Sequence, residues 1–202
     1  MDRQAEFEKL VQDIKEHTCS LRAGCIQAVP GDGNINSPVM FIGEGPGRVE
    51  DEQGKPFVGP AGKLWEEAIG NLGWKREDVY ITNVIKCRPP NNRDPLASEV
   101  EEHKPFLERE LEIIKPKLIV LLGRHAMQWF LPGEKISAIR GTAKRRGGRI
   151  YFVVYHPAAA LYDPKLKSVL MADFKKIPIL LKKIDKLPPI EETKKEIQAI
   201  LF

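Results

Sequence analysis

The chain has 202 residues and a formal net charge of +4, with 42% hydrophobic and 30% charged residues. This balance is typical of one globular domain and excludes a disordered or collagen-like chain. No stretch approaches the roughly 18 consecutive apolar residues of a membrane span. Three cysteines do not make the even set of a secreted disulfide framework, and the N-terminus does not resemble a secretory signal peptide. We therefore predict a cytoplasmic protein that does not contact membranes.

Basic residues are concentrated in the second half of the chain. Between Arg140 and Lys183 they outnumber acidic residues, and this segment includes the run Lys144-Arg145-Arg146. A basic half on a near-neutral domain suits a polyanionic partner such as nucleic acid. A surface that only keeps the protein in solution is the alternative interpretation.

Helices and short apolar strands alternate along the chain. In chain order, the pattern predicts a helix over 3–17, a strand over 39–42, a helix over 61–72, a strand over 79–84, a helix over 98–115, a strand over 118–122, a helix over 123–130, a strand over 150–155 and a helix over 164–184. Ser98 and Glu101 are interpreted as a capping box at the start of the helix over 98–115, and Pro178 as a disturbance of the last helix.

This alternation predicts an α/β fold, a three-layer α/β/α sandwich with a central four-stranded, mainly parallel sheet. We assign residues 1–184 to a single domain and residues 185–202 to a linker and a C-terminal tail. In sheets of this kind the ligand binds outside the carboxyl ends of the strands. Glu44, Asn83 and His156 all fall at that predicted edge, which makes them candidates for a common site.

The loop after the first strand, Gly43-Glu44-Gly45-Pro46-Gly47, is rich in glycine but does not match a phosphate-binding motif. No Gly-Lys-Ser/Thr sequence ends it, and no helix is predicted directly after Gly47, so the Walker and dinucleotide patterns both fail. The glycines still allow backbone amides to approach a flat ligand closely. Glu44 could polarise a water molecule there, or it could accept hydrogen bonds from the loop.

Three further residue types suit recognition of a base. Phe57, in a loop between two glycines, is either a stacking platform or a core anchor. An amide such as Asn83 can match the O4 acceptor and N3–H donor of uracil and reject the reverse pattern of cytosine, although an Asn after a strand is often only a turn former. The N–H of His156 could meet charge developing on a leaving group, although a single histidine is usually structural.

Together these stretches resemble the uracil-DNA glycosylase superfamily and, within it, the family 4 enzymes. The resemblance covers roughly residues 19 to 184. The matching segments are Gly43 to Gly47 with Glu50-Asp51, Gly54 to Gly62, Thr82-Asn83-Val84, Lys86 to Arg93, and His156-Pro157-Ala158-Ala159-Ala160-Leu161.

The resemblance implies that the enzyme turns a uridine out of the DNA stack and hydrolyses its N-glycosidic bond, leaving an abasic site. It implies that Phe57 stacks on the uracil, that Asn83 reads the base edge and that His156 stabilises charge on O2. Backbone over 43–45 would bind the carbonyl groups. No cofactor is required for this chemistry.

Two positions in the glycine-rich loop depart from the best-known relatives. Those relatives carry an Asp where this chain has Gly45, so Glu44 is the candidate for positioning the attacking water. They also carry a Tyr that blocks the methyl group of thymine, and this chain has Gly47 at that place. Exclusion of thymine must therefore come from another residue, for which Glu50 is the candidate.

Contacts with the DNA backbone are expected from basic residues in two regions, and they would position the DNA without reading its sequence. Leu161 could fill the gap that the flipped base leaves, or it could anchor its loop in the core. The expected phosphate contacts are Arg88, Arg93, Arg140, Lys144, Arg145 and Arg146, although the run around Arg145 could equally be a solvated turn.

The resemblance also implies a [4Fe-4S] cluster held by four cysteines, and this chain keeps only part of that set. Cys19 and Cys87 match, whereas the other two positions are Glu16 and His103. Cys25 lies where the family has no ligand. Because a cluster needs a complete set of ligands, we expect no cluster. A His-ligated cluster or a zinc ion that includes Cys19, Cys87 and His103 is the alternative.

The last five residues resemble the short motif with which repair proteins bind a bacterial sliding clamp. Gln198, Leu201 and Phe202 supply its glutamine and its apolar end, although the end of an amphipathic helix is the simpler interpretation. The motifs otherwise imply no partner subunit, so we expect a monomer.

Uracil excision from DNA is therefore the leading hypothesis. An inactive or covalently trapping uracil-DNA binder on the same fold is the alternative. A redox or structural metal protein is a third interpretation, and it rests only on three scattered cysteines.

Overall fold

The computed structural model describes residues 2–185, in which helices and strands alternate as the sequence predicts. The elements are α1 (Arg3–Glu16), β1 (Asp32–Gly33), β2 (Val39–Gly43), α2 (Arg48–Gln53), α3 (Pro60–Gly70), β3 (Tyr80–Asn83), α4 (Ala97–Ile114), β4 (Leu118–Leu122), α5 (Gly123–Phe130), α6 (Ile136–Ile139), β5 (Ala143–Arg146), β6 (Arg149–Val154), α7 (Pro157–Ala160), α8 (Pro164–Phe174) and α9 (Ile177–Ile184).

The sheet has six strands in the order β1-β3-β2-β4-β6-β5. Its four central strands are parallel and are the four that the sequence predicts, so the α/β class is confirmed. The sheet has two strands more than the predicted four, namely the short antiparallel edge strands β1 and β5. These escape prediction because β1 has only two residues and most of β5 is exposed and basic.

Alternate residues of the parallel strands point into two separate cores, which makes the three-layer arrangement. Met40 and Ile42 face the layer that contains α1, α4 and α5. Phe41 and Val39 face the opposite layer, which contains α3, α8 and α9. Burial on both faces explains why these strands are continuous apolar runs rather than alternating ones.

Two helices differ from the prediction. A helix, α2, begins directly after Gly47, where none was expected, and the carboxylates of Glu50 and Asp51 lie in its first turn. The single last helix that was predicted is divided into two helices, α8 and α9, and Pro178 lies in the first turn of α9.

The start of α4 also differs from the predicted capping box. The helix begins at Ala97, and Glu99 accepts a hydrogen bond from the backbone N–H of Leu96 at 2.7 Å. The predicted linker and tail, with Gln198, Leu201 and Phe202, lie outside residues 2–185. None of the helices within the described range is long and apolar enough to cross a membrane.

Candidate active site

The carboxyl ends of the four parallel strands bring the predicted residues together. Gly43 ends β2 and pairs in register with Asn83 at the end of the neighbouring strand β3. On the other side of β2, α5 begins at Gly123 after β4, and His156 follows β6. The chain changes direction across the sheet between β2 and β4, which is where ligands bind in open α/β sheets.

Asn83 is 2% exposed, and the structure describes no hydrogen-bond partner for its Oδ1 atom. A Cβ atom on Gly43 would lie 2.4 Å from that Oδ1 and 2.6 Å from Cζ of Phe57. Only a glycine therefore fits between the amide and the ring. Because a buried polar atom is normally paired, the unpaired Oδ1 indicates a place for a ligand that donates a hydrogen bond.

A buried ion pair that the sequence analysis missed holds the backbone of this strand. Lys86 Nζ lies 2.6 Å from Glu110 Oε2 and donates to the carbonyl oxygen of Asn83 at 2.8 Å. Thr82 donates to the same Glu110, and so does Tyr80. Burial lowers the pKa of Lys86, and the adjacent carboxylate opposes that shift. This network positions the strand end from the side away from the ligand.

Phe57 has a φ of 54°, a left-handed conformation that is rare for a bulky residue. Arg76 Nη2 donates to the Phe57 carbonyl oxygen at 2.5 Å, and the Glu50 carboxylate accepts from Gly59 N at 2.7 Å. The Phe57 ring lies 5.8 Å from the His156 ring, centroid to centroid. Contacts on both sides of the loop thus hold an aromatic ring at the sheet edge in a strained backbone.

His156 caps α7 in a way that identifies its tautomer. The Nδ1 atom accepts a hydrogen bond from Ala158 N at 3.1 Å, so the neutral ring carries its proton on Nε2. Burial lowers the pKa of His156 from 6.5 to about 4, and the charge of His125 adds to this shift. A neutral imidazole with its proton on Nε2 therefore lies beside the Phe57 ring.

Glu44 has two neighbours that the sequence analysis did not single out. Its Oε2 atom lies 3.8 Å from His125 Nε2, and that nitrogen lies 3.3 Å from Asp94 Oδ1. Burial raises the pKa of Glu44, whereas the charge of His125 lowers it. A cavity of about 300 Å³ adjoins Glu44 and His125. Only the fold brings Asp94 and His125 here, from a loop after β3 and from the first turn of α5.

Glu50 occupies the space next to Gly47. A Cβ atom on Gly47 would lie 2.7 Å from Glu50 Oε2. The other carboxylate oxygen of Glu50 also accepts from Val58 N at 3.1 Å. Glu50 therefore links the glycine-rich loop to the Phe57 loop.

The predicted DNA-contacting residues near the site are partly engaged in other contacts. Arg88 donates to Asn92 at 2.7 Å, and Arg93 makes a two-pronged ion pair with the buried Glu99. Arg140 is paired with the buried Asp173 at 2.9 Å. These contacts position the side chains, and Arg140 in particular has a structural role.

The basic hairpin of β5 and β6 lies at the end of the sheet opposite to the carboxyl ends of the parallel strands. Arg146 pairs with Arg149 at the start of β6, whereas the candidate site follows the end of that strand. Arg145 is exposed beside Ile150, and Lys144 lies 3.5 Å from Glu134. With about 3.3 Å per residue along a strand, this tip is more than ~15 Å from the carboxyl edge. The structure does not bring Arg145 and Arg146 to the site.

Leu161 is half-buried and packs against the core beneath α3 and α8. The next residue, Tyr162, is 91% exposed. The aromatic side chain directly after Leu161 is thus the exposed tip of the loop that follows His156, and the sequence analysis did not single it out.

Cys19, Cys87 and His103 lie in one cluster with His17 and Cys25. The ligand atoms of His17, Cys19 and His103 are all within 4.8 Å of one another. Burial and the thiols of Cys19 and Cys25 raise the pKa of Cys87. Two imidazoles among the donors do not fit the four-thiolate set of a [4Fe-4S] cluster, so no step of the chemistry is assigned to a cluster.

Comparison with known proteins agrees with this fold. The family model of the uracil DNA glycosylase superfamily matches residues 30–176. A type-4 uracil-DNA glycosylase of Archaeoglobus fulgidus is 48% identical, across 85% of this chain and 91% of the relative. A type-4 uracil-DNA glycosylase of Thermotoga maritima is 39% identical, across 90% of this chain and 97% of the relative. A type-5 uracil-DNA glycosylase of Pyrobaculum aerophilum is 32% identical across 64% of this chain. The chain belongs to the uracil-DNA glycosylase superfamily, and the predicted resemblance to its type-4 members is confirmed.

Proposed function

We propose that this protein is a DNA-repair enzyme that hydrolyses the N-glycosidic bond between uracil and deoxyribose in DNA. The observation that supports it most directly is the buried amide of Asn83, whose Oδ1 has no partner among the described residues and lies beside Gly43 and Phe57. Base recognition requires such an amide next to an aromatic face. The family relationship is in accord with that reading of the geometry.

The Asn83 amide accounts for the choice of base. Its Oδ1 accepts from uracil N3–H, and its Nδ2 donates to O4. Cytosine presents an acceptor at N3 and a donor at C4, so it leaves both partners mismatched in a buried site. The Lys86–Glu110 pair holds the backbone of Asn83 at the strand end, which keeps the amide from turning to suit the other base.

His156 supports departure of the base. As the bond to the sugar breaks, the uracil leaves as an anion and its O2 gains negative charge. A neutral Nε2–H donor stabilises that charge without giving its proton to the base. A preorganised donor of this kind typically lowers the barrier by about 2.7–4 kcal/mol.

Glu44 positions the water that attacks the sugar carbon. A carboxylate whose pKa is raised by burial is a better base near neutral pH. His125 and Asp94 surround it and set its charge and orientation. We assign Glu44 as the catalytic residue and His125 as a positioning residue.

Thymine is excluded by the space that Glu50 takes. The Glu50 carboxylate lies against Gly47 and holds the loop before α3 through the backbone N–H groups of Val58 and Gly59. A methyl group on C5 of the base would have to displace a carboxylate that is already hydrogen-bonded. The loop geometry thus replaces a bulky side chain at position 47.

The DNA backbone is bound near the carboxyl edge by Arg88 and Arg93, and we retain Arg140, Lys144, Arg145 and Arg146 as more distant predicted contacts. Leu161 or the exposed Tyr162 fills the gap left by the base.

The enzyme is a cytoplasmic monomer with one domain over residues 1–184. It reaches a sliding clamp through Gln198, Leu201 and Phe202. Deleting residues 198–202 should abolish clamp binding and leave excision unchanged, and retained clamp binding would contradict this.

The test of the function is excision from a labelled oligonucleotide with one uracil, followed by alkaline cleavage at abasic sites. Matched oligonucleotides with thymine or cytosine at that position are the controls. We expect cleavage only of the uracil strand. Cleavage of all three, or of none, would contradict the proposal.

The alternative function, an inactive or covalently trapping uracil-DNA binder, has a different outcome in the same experiment. Binding to uracil DNA without strand cleavage would indicate an inactive binder. A protein–DNA adduct that survives a denaturing gel would indicate trapping. No specific observation among the described residues favours either.

A further inference from the structure

We propose that His17, Cys19, Cys87 and His103 form a site for a single tetrahedral metal ion, and Zn²⁺ is the metal that fits these donors. The site lies between the segment after α1, the loop after β3 and the first half of α4, away from the Asn83 pocket. The inference concerns a structural ion and is independent of the proposed excision activity.

The donor atoms are spaced for one ion. Zinc is bound by thiolate sulfur at about 2.3 Å and by imidazole nitrogen at about 2.0–2.1 Å, which places tetrahedral ligand atoms roughly 3.3–3.8 Å apart. The donor atoms of His17, Cys19 and His103 all lie within 4.8 Å of one another. The Cys87 thiol lies outside that group of three but is fully buried beside the Cys19 and Cys25 thiols, and in the proposal it is the fourth ligand.

Both imidazoles present an unpaired nitrogen. The Nε2 atoms of His17 and His103 are buried and have no hydrogen-bond partner among residues 2–185. His103 is 0% exposed, so its unpaired nitrogen has no access to bulk water. An unpaired buried nitrogen is costly. Two of them facing one thiol indicate that these atoms have a shared partner.

The outer contacts of His103 match those of a metal ligand. Its Nδ1 atom lies 2.7 Å from the carbonyl oxygen of Glu99, one turn earlier in α4. The ring therefore donates Nδ1–H to a backbone carbonyl and keeps the Nε2 lone pair free, which is how metal-binding histidines are usually oriented. Glu99 itself is fixed by Arg93, so the second shell is rigid.

Cys25 is close to the cluster but is already engaged. Its sulfur accepts from Arg22 Nη1 at 3.5 Å and lies 3.8 Å from the Arg22 carbonyl oxygen. It is half-buried, as are His17 and Cys19. Cys25 is therefore a matched control: a thiol of similar exposure in the same cluster that does not bind the ion.

A bound ion would add a cross-link to three segments that already share one apolar core. Outside the cluster, the segment after α1 is tied to α4 by Ser20, which donates to Glu102 at 2.9 Å, and α1 by Asp13 and Arg109 at 2.7 Å. Cys87 is next to Arg88, so the ion would also fix the loop proposed to contact DNA. Ligands brought together from distant segments add metal-binding free energy to folding.

The test is metal analysis of the full-length protein, purified without oxygen from cells supplied with both iron and zinc. We expect one zinc and no stoichiometric iron or acid-labile sulfide per chain. Chelation should lower the Tm by roughly 5–15 °C, and added Zn²⁺ should restore it. The Co²⁺-substituted protein should show the visible absorption of a tetrahedral site with thiolate ligands.

Variants separate the proposed ligands from their neighbours. Cys19→Ser and His17→Ala should lose zinc and the cobalt spectrum, whereas Cys25→Ser should keep both. His17 is half-buried, so its variant remains informative if substitution of the buried His103 prevents folding. Iron with sulfide, no bound metal at excess Zn²⁺, or zinc retained in both Cys19→Ser and His17→Ala would each overturn the proposal. Excision by the metal-free protein bears only on the proposed function.

Discussion

The neutral state of His156 leads to a prediction that combines rate and pH. Removing the ring in His156→Ala deletes the one donor assigned to O2, and such a loss typically raises the barrier by about 2.7–4 kcal/mol, a factor of about 10² to 10³ in rate. His156→Gln is the matched variant, because its amide N–H can reach the position of Nε2 and cannot titrate. We expect His156→Gln to recover part of the lost rate.

The pKa of His156 determines the expected pH profile. Lowering it from 6.5 to about 4 corresponds to at most ~3 kcal/mol in favour of the neutral ring, and solvent at its half-exposed edge reduces that figure. The ring therefore stays neutral throughout the range from pH 5 to 8. Wild-type excision should show no step near pH 6.5 that is missing from His156→Gln.

The lowered pKa of His156 also makes the free energy of unfolding depend on pH. The folded state binds this proton less readily than the unfolded state, so the His156 contribution is complete above about pH 6.5 and is lost as the pH falls toward about 4. Urea unfolding at pH 7 and pH 4.5 should show a larger loss of stability in wild type than in His156→Gln.

Single-turnover excision with enzyme in excess is the assay for both expectations, since it excludes product release. An unchanged rate in His156→Ala would remove the residue from the mechanism. A wild-type step near pH 6.5 that disappears in His156→Gln would show that a charged imidazole acts instead, and it would refute the neutral-donor argument.

Four other substitutions test neighbouring parts of the site. Asn83→Asp should relax discrimination toward cytosine, and continued rejection of cytosine at normal uracil excision would contradict base reading by the amide. Phe57→Ala should weaken capture of the flipped base, so unaltered affinity and single-turnover rate would rule out stacking. His125→Ala removes an electrostatic interaction that lowers the pKa of Glu44, so the acid limb of the excision profile should move to higher pH; an unmoved limb would remove His125 as a positioning residue. Tyr162→Ala should slow excision from duplex more than from single-stranded DNA, with Tyr162→Phe near wild type, and equal effects on both substrates would contradict a wedge role.

The strand ends could be predicted because burial on both faces produces uninterrupted apolar runs. Those runs end at Gly43, Asn83 and the residues before His156, so the pattern placed the candidates for base recognition at one edge of the sheet. The edge strand β5 gave no such signal, because its residues are exposed and charged.

Residues that act through long-range contacts could not be predicted. Lys86 and Glu110 read as surface residues in a sequence, and only the fold shows that they neutralise each other in the core. Asp94 and His125 are separated by β4 and a whole helix. Charge alone also could not predict the position of the run at Arg145, since a basic composition says nothing about which end of a sheet a hairpin occupies.

The left-handed backbone at Phe57 persists because the ring that it carries is buried. A non-glycine residue held in this conformation costs on the order of 1–2 kcal/mol. The ring is 5% exposed and packs in the core beside Trp65, and removing a buried Phe side chain typically costs about 3–5 kcal/mol. Phe57→Gly should therefore destabilise the fold on balance, so selection for stability alone would keep the ring that is also proposed to face the flipped base.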